Sequence, residues 1–337
     1  IDLRGKRLPR AEMLAAMPRA EMGTDEATEL VQPILDDVKA RGAAALRDFE
    51  EKFDHVRPEH LRVPAEAMTA ALEELDPAVR ASIEESVRRS RAVAASQVPE
   101  DFHTDLAPGA RVAERWIPVQ RVGLYVPGAQ AIAMFAYGAK GTEPQDGEVL
   151  CEPVDKITGP GNIFVATAKR MVSGIVGIDA VAGPTEIAII ADAGANPEYL
   201  AADLIGQAEH DELAGSVLIT DSEEIATKTQ ESLNRRVPRT KHAERVATSL
   251  TGRQSGIILT DGLDQSIDAA NAYAAEHLEI QTADADAVVK RIRNAGAIFR
   301  GPYSPVPLGD YMSGSNHVLP TSGTARFAAV LGVHTFM

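Results

Sequence analysis

The spacing of apolar and polar residues changes along the chain. Residues 11–52 and 64–98 place Ala, Leu and Val among Glu and Arg at helical spacing, which predicts helices interrupted at Pro33 and at Gly42. The stretch 111–128, "RVAERWIPVQRVGLYVPG", is instead rich in β-forming residues and stops at a Pro-Gly turn. The first part of the chain is therefore mainly helical, with some strand at its end.

From residue 154 onward, predicted strands and helices alternate. The segment "EIAIIADA" (186–193) is almost continuously apolar, as in a strand buried on both faces. The helix that follows it begins with Asn196 as N-cap and Pro197 in its first turn. Such alternation predicts a mostly parallel sheet with helices on both faces. Ligands of such sheets collect at the carboxyl ends of the strands, so we expect the functional residues in the loops that follow strands.

Composition narrows the range of functions. The 337 residues suit two domains, 45% are hydrophobic, and the formal net charge is −15. That charge repels phosphate backbones, so nucleic acid is not an expected partner. The single cysteine, Cys151, excludes a disulfide within the chain and fits a cytoplasmic protein. No stretch has the length of a membrane span, and "IDLRGKRLPR" contains no signal-peptide core.

Two polar pairs are candidates for chemistry. Gln207 and His210 lie three positions apart on a predicted helix, so they share a face and could bind one metal ion, or they form a solvated helix end. Glu276 and His277 lie where a helix meets a strand. Adjacent side chains are expected to point in different directions, which makes this pair poor joint metal ligands. They could act as two proton-transfer groups, or be surface polar residues.

Two loops carry further candidates. The segment 302–321 contains four prolines and two glycines, which predicts a rigid loop that presents Asp310 and His317. That loop could equally be a structural connection. The sequence "GPGN" (159–162) opens a helix after a strand, where backbone N–H groups could hold an anion such as a pyrophosphate. It is not a dinucleotide-binding fingerprint, because Phe164 stands where the third glycine would be.

Seven longer motifs resemble one family. They occur in the order found in histidinol dehydrogenase and run over nearly the whole chain: "RVGLYVPG", "AQAIAMFAYG", "VDKITGPGN", "AGPTEIAIIAD", "AADLIGQAEHD", "AAEHLEI" and "GDYMSGSNHVLPT". The resemblance implies an enzyme of histidine biosynthesis that oxidises L-histidinol to L-histidine through bound L-histidinal with two NAD. It also implies a homodimer with one zinc ion per active site.

The resemblance implies roles for individual residues. Gln207, His210 and Asp310 would bind zinc and, through it, the substrate. Glu276 would activate the water that adds to the aldehyde and also contact the substrate, and His277 would take protons during the oxidations. A water-addition route fits a chain that has no cysteine suited to a thiohemiacetal. The remaining contacts would be to substrate from Thr185 and His317, and to NAD from Tyr125, Gln130 and Asn162.

The implied fold consists of two doubly wound Rossmann-like domains, similar to aldehyde dehydrogenases, with a small helical N-terminal extension. The expected divisions are an extension (1–19), a main α/β domain with the zinc and substrate residues (20–124 plus 186–331), an incomplete NAD-binding domain (125–185) and the start of a C-terminal tail (332–337).

The sequence departs from the family in two places. A segment that the family has between the motifs ending at Gly128 and beginning at Ala129 is missing, and so is a C-terminal tail with a zinc-ligand histidine and a substrate-binding glutamate. The sequence either omits parts of a longer protein or is a truncated form. Loss of half of an α/β sheet would expose apolar faces, so we expect the intact protein to contain these parts. For the function, two alternatives to histidinol oxidation stay open: a zinc-dependent hydrolase and an inactive small-molecule-binding paralogue.

Overall fold

The computed structural model describes residues 1–20, 24–124 and 128–337. Helices and strands of these ranges are numbered here in chain order. The α-helices are α1 (Arg10–Ala16), α2 (Thr24–Arg41), α3 (Ala43–Asp54), α4 (Ala65–Glu74), α5 (Pro77–Ser96), α6 (Ala129–Tyr137), α7 (Ile163–Val172), α8 (Pro197–Ala208), α9 (Glu223–Arg236), α10 (Ala243–Thr251), α11 (Leu263–Tyr273), α12 (Ala285–Val289) and α13 (Val306–Tyr311).

The strands are β1 (Phe102–Ala107), β2 (Ala110–Glu114), β3 (Val122–Leu124), β4 (Ala139–Lys140), β5 (Val149–Cys151), β6 (Lys156–Thr158), β7 (Gly177–Ile178), β8 (Glu186–Ala191), β9 (Gly215–Thr220), β10 (Gly256–Leu259), β11 (His277–Gln281) and β12 (Ala297–Arg300). Short 3₁₀ helices span Pro144–Asp146, Val237–Arg239, Thr324–Arg326 and Val333–Phe336. Within the described ranges, no helix combines the length and the apolar character needed to cross a lipid bilayer.

The chain divides into two units. The first contains residues 1–20, 182–310 and 319–330, and the second contains residues 24–124, 128–181, 311–318 and 331–337. The sequence analysis grouped most of the N-terminal helices with the main α/β domain, whereas the structure groups them with the predicted NAD-binding segment.

This grouping follows from where α2 buries its apolar stripe. Val31, Leu35 and Val38 of α2 are almost fully buried in one cluster with Ile132 of α6 and Val165 of α7. Each buried aliphatic side chain of this kind stabilises the fold by roughly 1.5–3 kcal/mol. The helical spacing in the sequence predicts the stripe, but it does not show which domain the stripe packs against.

The first unit contains a five-stranded sheet in the order β10-β9-β8-β11-β12, with all neighbours parallel. Alternate residues of β8 face opposite sides: Ile187 and Ile189 pack in a cluster with α8, α9 and α10, and Ala188 and Ile190 pack in a cluster with α1, α11 and α12. All six residues of β8 are buried. The predicted parallel sheet covered on both faces is therefore confirmed for this unit.

The second unit contains a three-stranded parallel sheet in the order β3-β6-β7 and two antiparallel pairs, β1-β2 and β4-β5. The predicted turn between a strand and a helix at residues 159–162 is present. Asn162 is the N-cap of α7, and its side chain accepts hydrogen bonds from the N–H groups of Phe164 and Val165.

Two local predictions were wrong. Pro33 does not interrupt a helix but lies inside the 18-residue α2. Pro33 is exposed, so a helix hydrogen bond lost there can be replaced by water, while the buried stripe on the other face holds the helix. The segment 302–321 is not entirely loop, because it contains α13. Gly42, by contrast, separates α2 from α3 as predicted, with a φ of 57°.

Candidate active site

The candidate residues of the first unit gather at one edge of its sheet. Thr185 directly precedes β8, His277 is the first residue of β11, and Gln207 and His210 lie at the C-terminal end of α8, which leads into β9. Since β8, β9 and β11 are parallel, this is the amino edge. The expectation that these residues follow the carboxyl ends of strands was therefore wrong. Helix C-termini arrive at the amino edge, and their negative dipole ends favour cations rather than anions.

One hydroxyl joins two candidate groups. The Nε2 of Gln207 donates to the Oγ1 of Thr185 at 2.7 Å, and that hydroxyl donates to the Oε2 of Glu276 at 2.6 Å. Gln207 and Glu276 are 3% and 8% exposed. Thr185 therefore links the predicted metal-binding helix to the predicted acid–base group through a continuous chain of hydrogen bonds.

The backbone of Glu186 holds both members of the predicted acid–base pair. Its N–H donates to the Oε2 of Glu276 at 3.1 Å, and its carbonyl lies 3.3 Å from the Nδ1 of His277. The two side chains lie 3.6 Å apart at these atoms instead of pointing in different directions, because the chain bends at Glu276 before β11 begins. An Nδ1–H bonded to a carbonyl leaves the Nε2 lone pair of His277 available to accept a proton.

Burial sets the charge states of this pair. Together with the nearby carboxylates of Glu186 and Asp310, it raises the pKa of Glu276 to about 8. The hydrogen bonds from Thr185 and from the N–H of Glu186 oppose this shift. Burial lowers the pKa of His277 to about 4, and the charge of Asp310 opposes this shift. At neutral pH Glu276 is mainly protonated and His277 is neutral.

His210 and Asp310 belong to the same unit and act on this pair electrostatically. The charge of Asp310 influences both Glu276 and His277, and His210 lowers the pKa of His277. The His210 side chain is exposed and Asp310 is half-buried. Among the described residues, no three His, Cys, Asp or Glu side chains are gathered as metal ligands. The predicted ligand set has only two such side chains and takes its third donor from the amide of Gln207.

The other predicted binding residues lie in the second unit. His317 is exposed in the segment 311–318, Gln130 is buried on α6, and Asn162 is exposed at the start of α7. Tyr125 lies outside the described residues.

Sequence reasoning missed Glu186 and its partner Arg19. The Nη1 of Arg19 lies 3.2 Å from the Oε2 of Glu186, and its guanidinium lies 4.7 Å from the ring centre of Tyr273. Burial raises the pKa of Glu186, and the charge of Arg19 opposes this. One signal was present in the sequence, because a charged residue opens the otherwise apolar strand "EIAIIA". Arg19 is 167 positions away, and nothing in the sequence indicates the pairing.

A parallel α/β sheet with a buried carboxyl group 3.6 Å from a buried imidazole at its amino edge is the arrangement of an α/β enzyme. The family model described as histidinol dehydrogenase matches residues 17–129 and 127–337. The chain belongs to the histidinol dehydrogenase family, and it is an oxidoreductase. The two matched segments meet where the sequence analysis places the missing family segment.

Individual relatives agree with this assignment. The histidinol dehydrogenase of Bifidobacterium longum is 71% identical over all of this chain and 84% of its own length, and that of Nocardia farcinica is 48% identical over all of this chain and 88% of its own length. The crystal structure of histidinol dehydrogenase from Elizabethkingia anophelis superimposes with a TM-score of 0.87 at 26% identity. That comparison covers 98% of this chain and 87% of the other.

Proposed function

We propose that the protein oxidises L-histidinol to L-histidine through bound L-histidinal, that it uses two NAD for each L-histidinol, and that it binds one zinc ion per active site. The observation that carries this proposal is the hydrogen-bonded chain from Gln207 through Thr185 to Glu276, beside His277. These buried contacts join the amide of Gln207, which could bind a metal ion, to Glu276 and His277, which could transfer protons. The runner-up functions, a zinc-dependent hydrolase and an inactive binding paralogue, lack support from the family assignment.

The residues present fit a zinc ion. An amide oxygen, an imidazole nitrogen and a carboxylate are all accepted zinc ligands, and Gln207, His210 and Asp310 supply one of each. The 2.7 Å bond from the Nε2 of Gln207 to Thr185 leaves the amide oxygen as the metal donor. When bound, zinc would supply a Lewis acid that orients the imidazole and amine of the substrate. We also assign Thr185 and His317 as substrate contacts.

The acid–base pair has different tasks in the two oxidations. In the first, the alcohol loses a hydride to NAD and a proton to a base, which gives the aldehyde, NADH and a proton. In the second, water adds to the aldehyde, and the hydrate loses a hydride to a second NAD and two protons to bases, which gives the carboxylate, a second NADH and two protons. His277 accepts a proton at Nε2, because its Nδ1 is engaged by the carbonyl of Glu186. Glu276, once ionised, activates the water.

We assign the NAD contacts to the second unit. Asn162 stands at the N-terminus of α7, where backbone N–H groups favour the pyrophosphate. Gln130 on α6 and Tyr125 complete the predicted set.

We further propose that both units are doubly wound Rossmann-like domains and that the first 19 residues form an extension. We also propose a cytoplasmic location.

A homodimer is the proposed assembly. Support comes from an apolar surface that the single chain leaves uncovered. The segment of α4, α5, β1 and β2, called here the arm, has no buried residue. Its exposed apolar side chains include Leu72, Ile83, Leu106 and Val112. Apolar surface concentrated in this way is typical of a protein–protein interface.

The test is the number of NADH molecules formed per L-histidinol by the full-length, zinc-loaded protein. Two NADH per substrate are expected. A Glu276→Gln variant should form one NADH and accumulate the aldehyde, because the amide cannot activate water. A folded, zinc-containing protein that forms no NADH would overturn the proposal. Hydrolysis of an amide or ester substrate, or binding without turnover, would then identify the alternative.

A further inference from the structure

Three residues of the second unit form a closed set of contacts beneath the turn 159–162. The N–H of Gly159 donates to the Oδ2 of Asp179 at 2.9 Å, and the Nζ of Lys169 donates to the carbonyl of Gly159 at 3.0 Å. The Nζ of Lys169 also forms an ion pair with the Oδ1 of Asp179. The N–H and the carbonyl of Gly159 are thus each bound by one partner of the Lys169–Asp179 ion pair. This ion pair, with its two hydrogen bonds to Gly159, is called here the clamp.

The clamp is buried and draws on three elements. The side chains of Lys169 and Asp179 are 2% and 3% exposed. Gly159 directly follows β6, Asp179 directly follows β7, and Lys169 lies in the last turn of α7. Since β6 and β7 are parallel neighbours, the clamp fixes the turn relative to the carboxyl edge of this sheet and to the helix that the turn begins.

The turn depends on this support because its backbone is unusual. Gly159 has a φ of 137°, in a region that favours glycine. Three residues later, Asn162 caps α7 through its side chain. The clamp therefore holds one end of "GPGN" and the cap holds the other. A buried ion pair is weak evidence for stability alone, because desolvation offsets much of its Coulomb attraction. Its placement on both backbone groups of Gly159 indicates a geometric role.

We propose that Lys169 and Asp179 are positioning residues for NAD, which hold the 159–162 turn in the conformation that receives the cofactor. This inference rests on the proposed function, in which Asn162 contacts NAD. The pair is electrically neutral as a unit, so it acts on the shape of the turn rather than by attracting the cofactor.

The test compares the kinetics and cofactor binding of full-length variants. Lys169→Met removes the contact to the carbonyl of Gly159, and Asp179→Asn removes the charge partner of Lys169. Each should raise the KM for NAD and the Kd for NADH, measured by fluorescence titration, by about tenfold or more, since small displacements of positioning groups weaken binding and catalysis strongly. The KM for L-histidinol and the zinc content should stay unchanged. The double variant Lys169→Met/Asp179→Asn leaves no unpaired buried charge and should show the same NAD defect.

Arg47 and Asp146 provide a matched control. They form another buried ion pair in the same unit, with side chains 2% and 1% exposed. There Asp146 accepts from the N–H groups of Thr142 and Glu143, away from the 159–162 turn in sequence. Arg47→Met should lower the melting temperature yet leave the KM for NAD within about twofold. The inference is overturned if this control raises the KM for NAD as much as Lys169→Met does, or if the folded double variant binds NADH normally.

Failure of the proposed function gives a different result. A wild-type protein that neither binds NADH nor reduces NAD with L-histidinol refutes the function itself. The positioning role alone is refuted if the wild type is active and Asn162→Ala weakens NAD binding while the clamp variants do not.

Discussion

Thr185 shows how much one hydroxyl contributes at the residue scale. Its oxygen accepts a hydrogen bond from Gln207, and its O–H donates a hydrogen bond to Glu276. A hydrogen bond donated to a carboxylate favours the ionised form, so Thr185 opposes the burial that raises the pKa of Glu276. The same residue therefore orients Gln207, a predicted zinc ligand, and lowers the pKa of Glu276, the predicted base.

The first prediction concerns pH. Because the pKa of Glu276 is raised to about 8, the ionised base becomes available only as pH rises toward that value. We expect kcat/KM for L-histidinol to increase with pH through an ionisation near pH 8, well above the ordinary glutamate range. A pH–rate profile measures this. A profile that is flat from about pH 6 to about pH 9 would contradict it.

The second prediction tests Thr185 directly. Thr185→Val removes the hydroxyl that stabilises ionised Glu276 but keeps the shape of the side chain. The ionisation seen in the pH–rate profile should move to higher pH, and activity at neutral pH should fall about tenfold or more. Thr185→Ser keeps the hydroxyl and is the control, which should retain the wild-type profile. Identical profiles for the two variants would remove Thr185 from this role.

At the scale of elements, a carboxyl pair connects α8 with β11. The Nε2 of Gln281 donates to the Oε2 of Glu279 at 3.0 Å and lies 3.4 Å from the Oδ2 of Asp203 on α8. Glu279 is 1% exposed. Burial raises the pKa of Glu279, and the neighbouring Asp203 raises it further, so the pair holds a proton at neutral pH. This contact joins the helix of Gln207 to the strand of His277.

The third prediction follows from that shift. A carboxyl whose pKa is raised by folding contributes stability that is fully present below its unfolded pKa of about 4.3 and is lost as pH rises toward the folded value. Wild type should therefore lose free energy of unfolding between about pH 5 and about pH 8. Glu279→Gln should lose less, by as much as about 1 kcal/mol per pH unit. Urea unfolding at both pH values measures the difference. Glu231→Gln, at an exposed position on α9, should behave as wild type.

The fourth prediction concerns the N-terminal segment. Arg19 connects residues 1–20 to the start of β8 through the carboxylate of Glu186. Arg19→Ala leaves Glu186 buried without its partner and should lower the free energy of unfolding by about 2 kcal/mol. Arg10→Ala, at an exposed position of the same segment, should have almost no effect. Equal urea midpoints for the two variants would show that the Arg19–Glu186 pair does not stabilise the fold.

At the scale of the whole molecule, the uncovered arm predicts assembly. Leu106 on β1 is 68% exposed, and none of the helices and strands of the arm contains a buried residue. We expect the full-length protein to sediment as a dimer, and Leu106→Asp to shift it toward monomer because a charge opposes burial of that surface. Leu30→Asp, at a 60% exposed position outside the arm, should remain dimeric. A wild-type monomer, or a dimer unaffected by Leu106→Asp, would refute this interface.

Local features of the fold were readable from the sequence wherever one short segment contains the whole signal. The cap at Asn196, the buried strand at 186–191 and the break at Gly42 are examples. Pro33 and the segment 302–321 were misjudged because packing and tertiary context overrode local preference. The candidate residues came from spacing and motifs, and the family from motif order. Their placement at the amino edge required the sheet.

The sequence by itself determined the alternation of strands and helices that forms a parallel sheet and the polar side chains that are candidates for chemistry. It also determined the family to which the chain belongs. Only the tertiary structure decided that Thr185 bridges Gln207 and Glu276, that Glu186 and Arg19 support the pair, and that Lys169 and Asp179 hold Gly159. The physical reason is that hydrogen bonds and desolvation depend on distance and burial in space, whereas the residues that meet in these sites are separated by 10 to 167 positions along the chain.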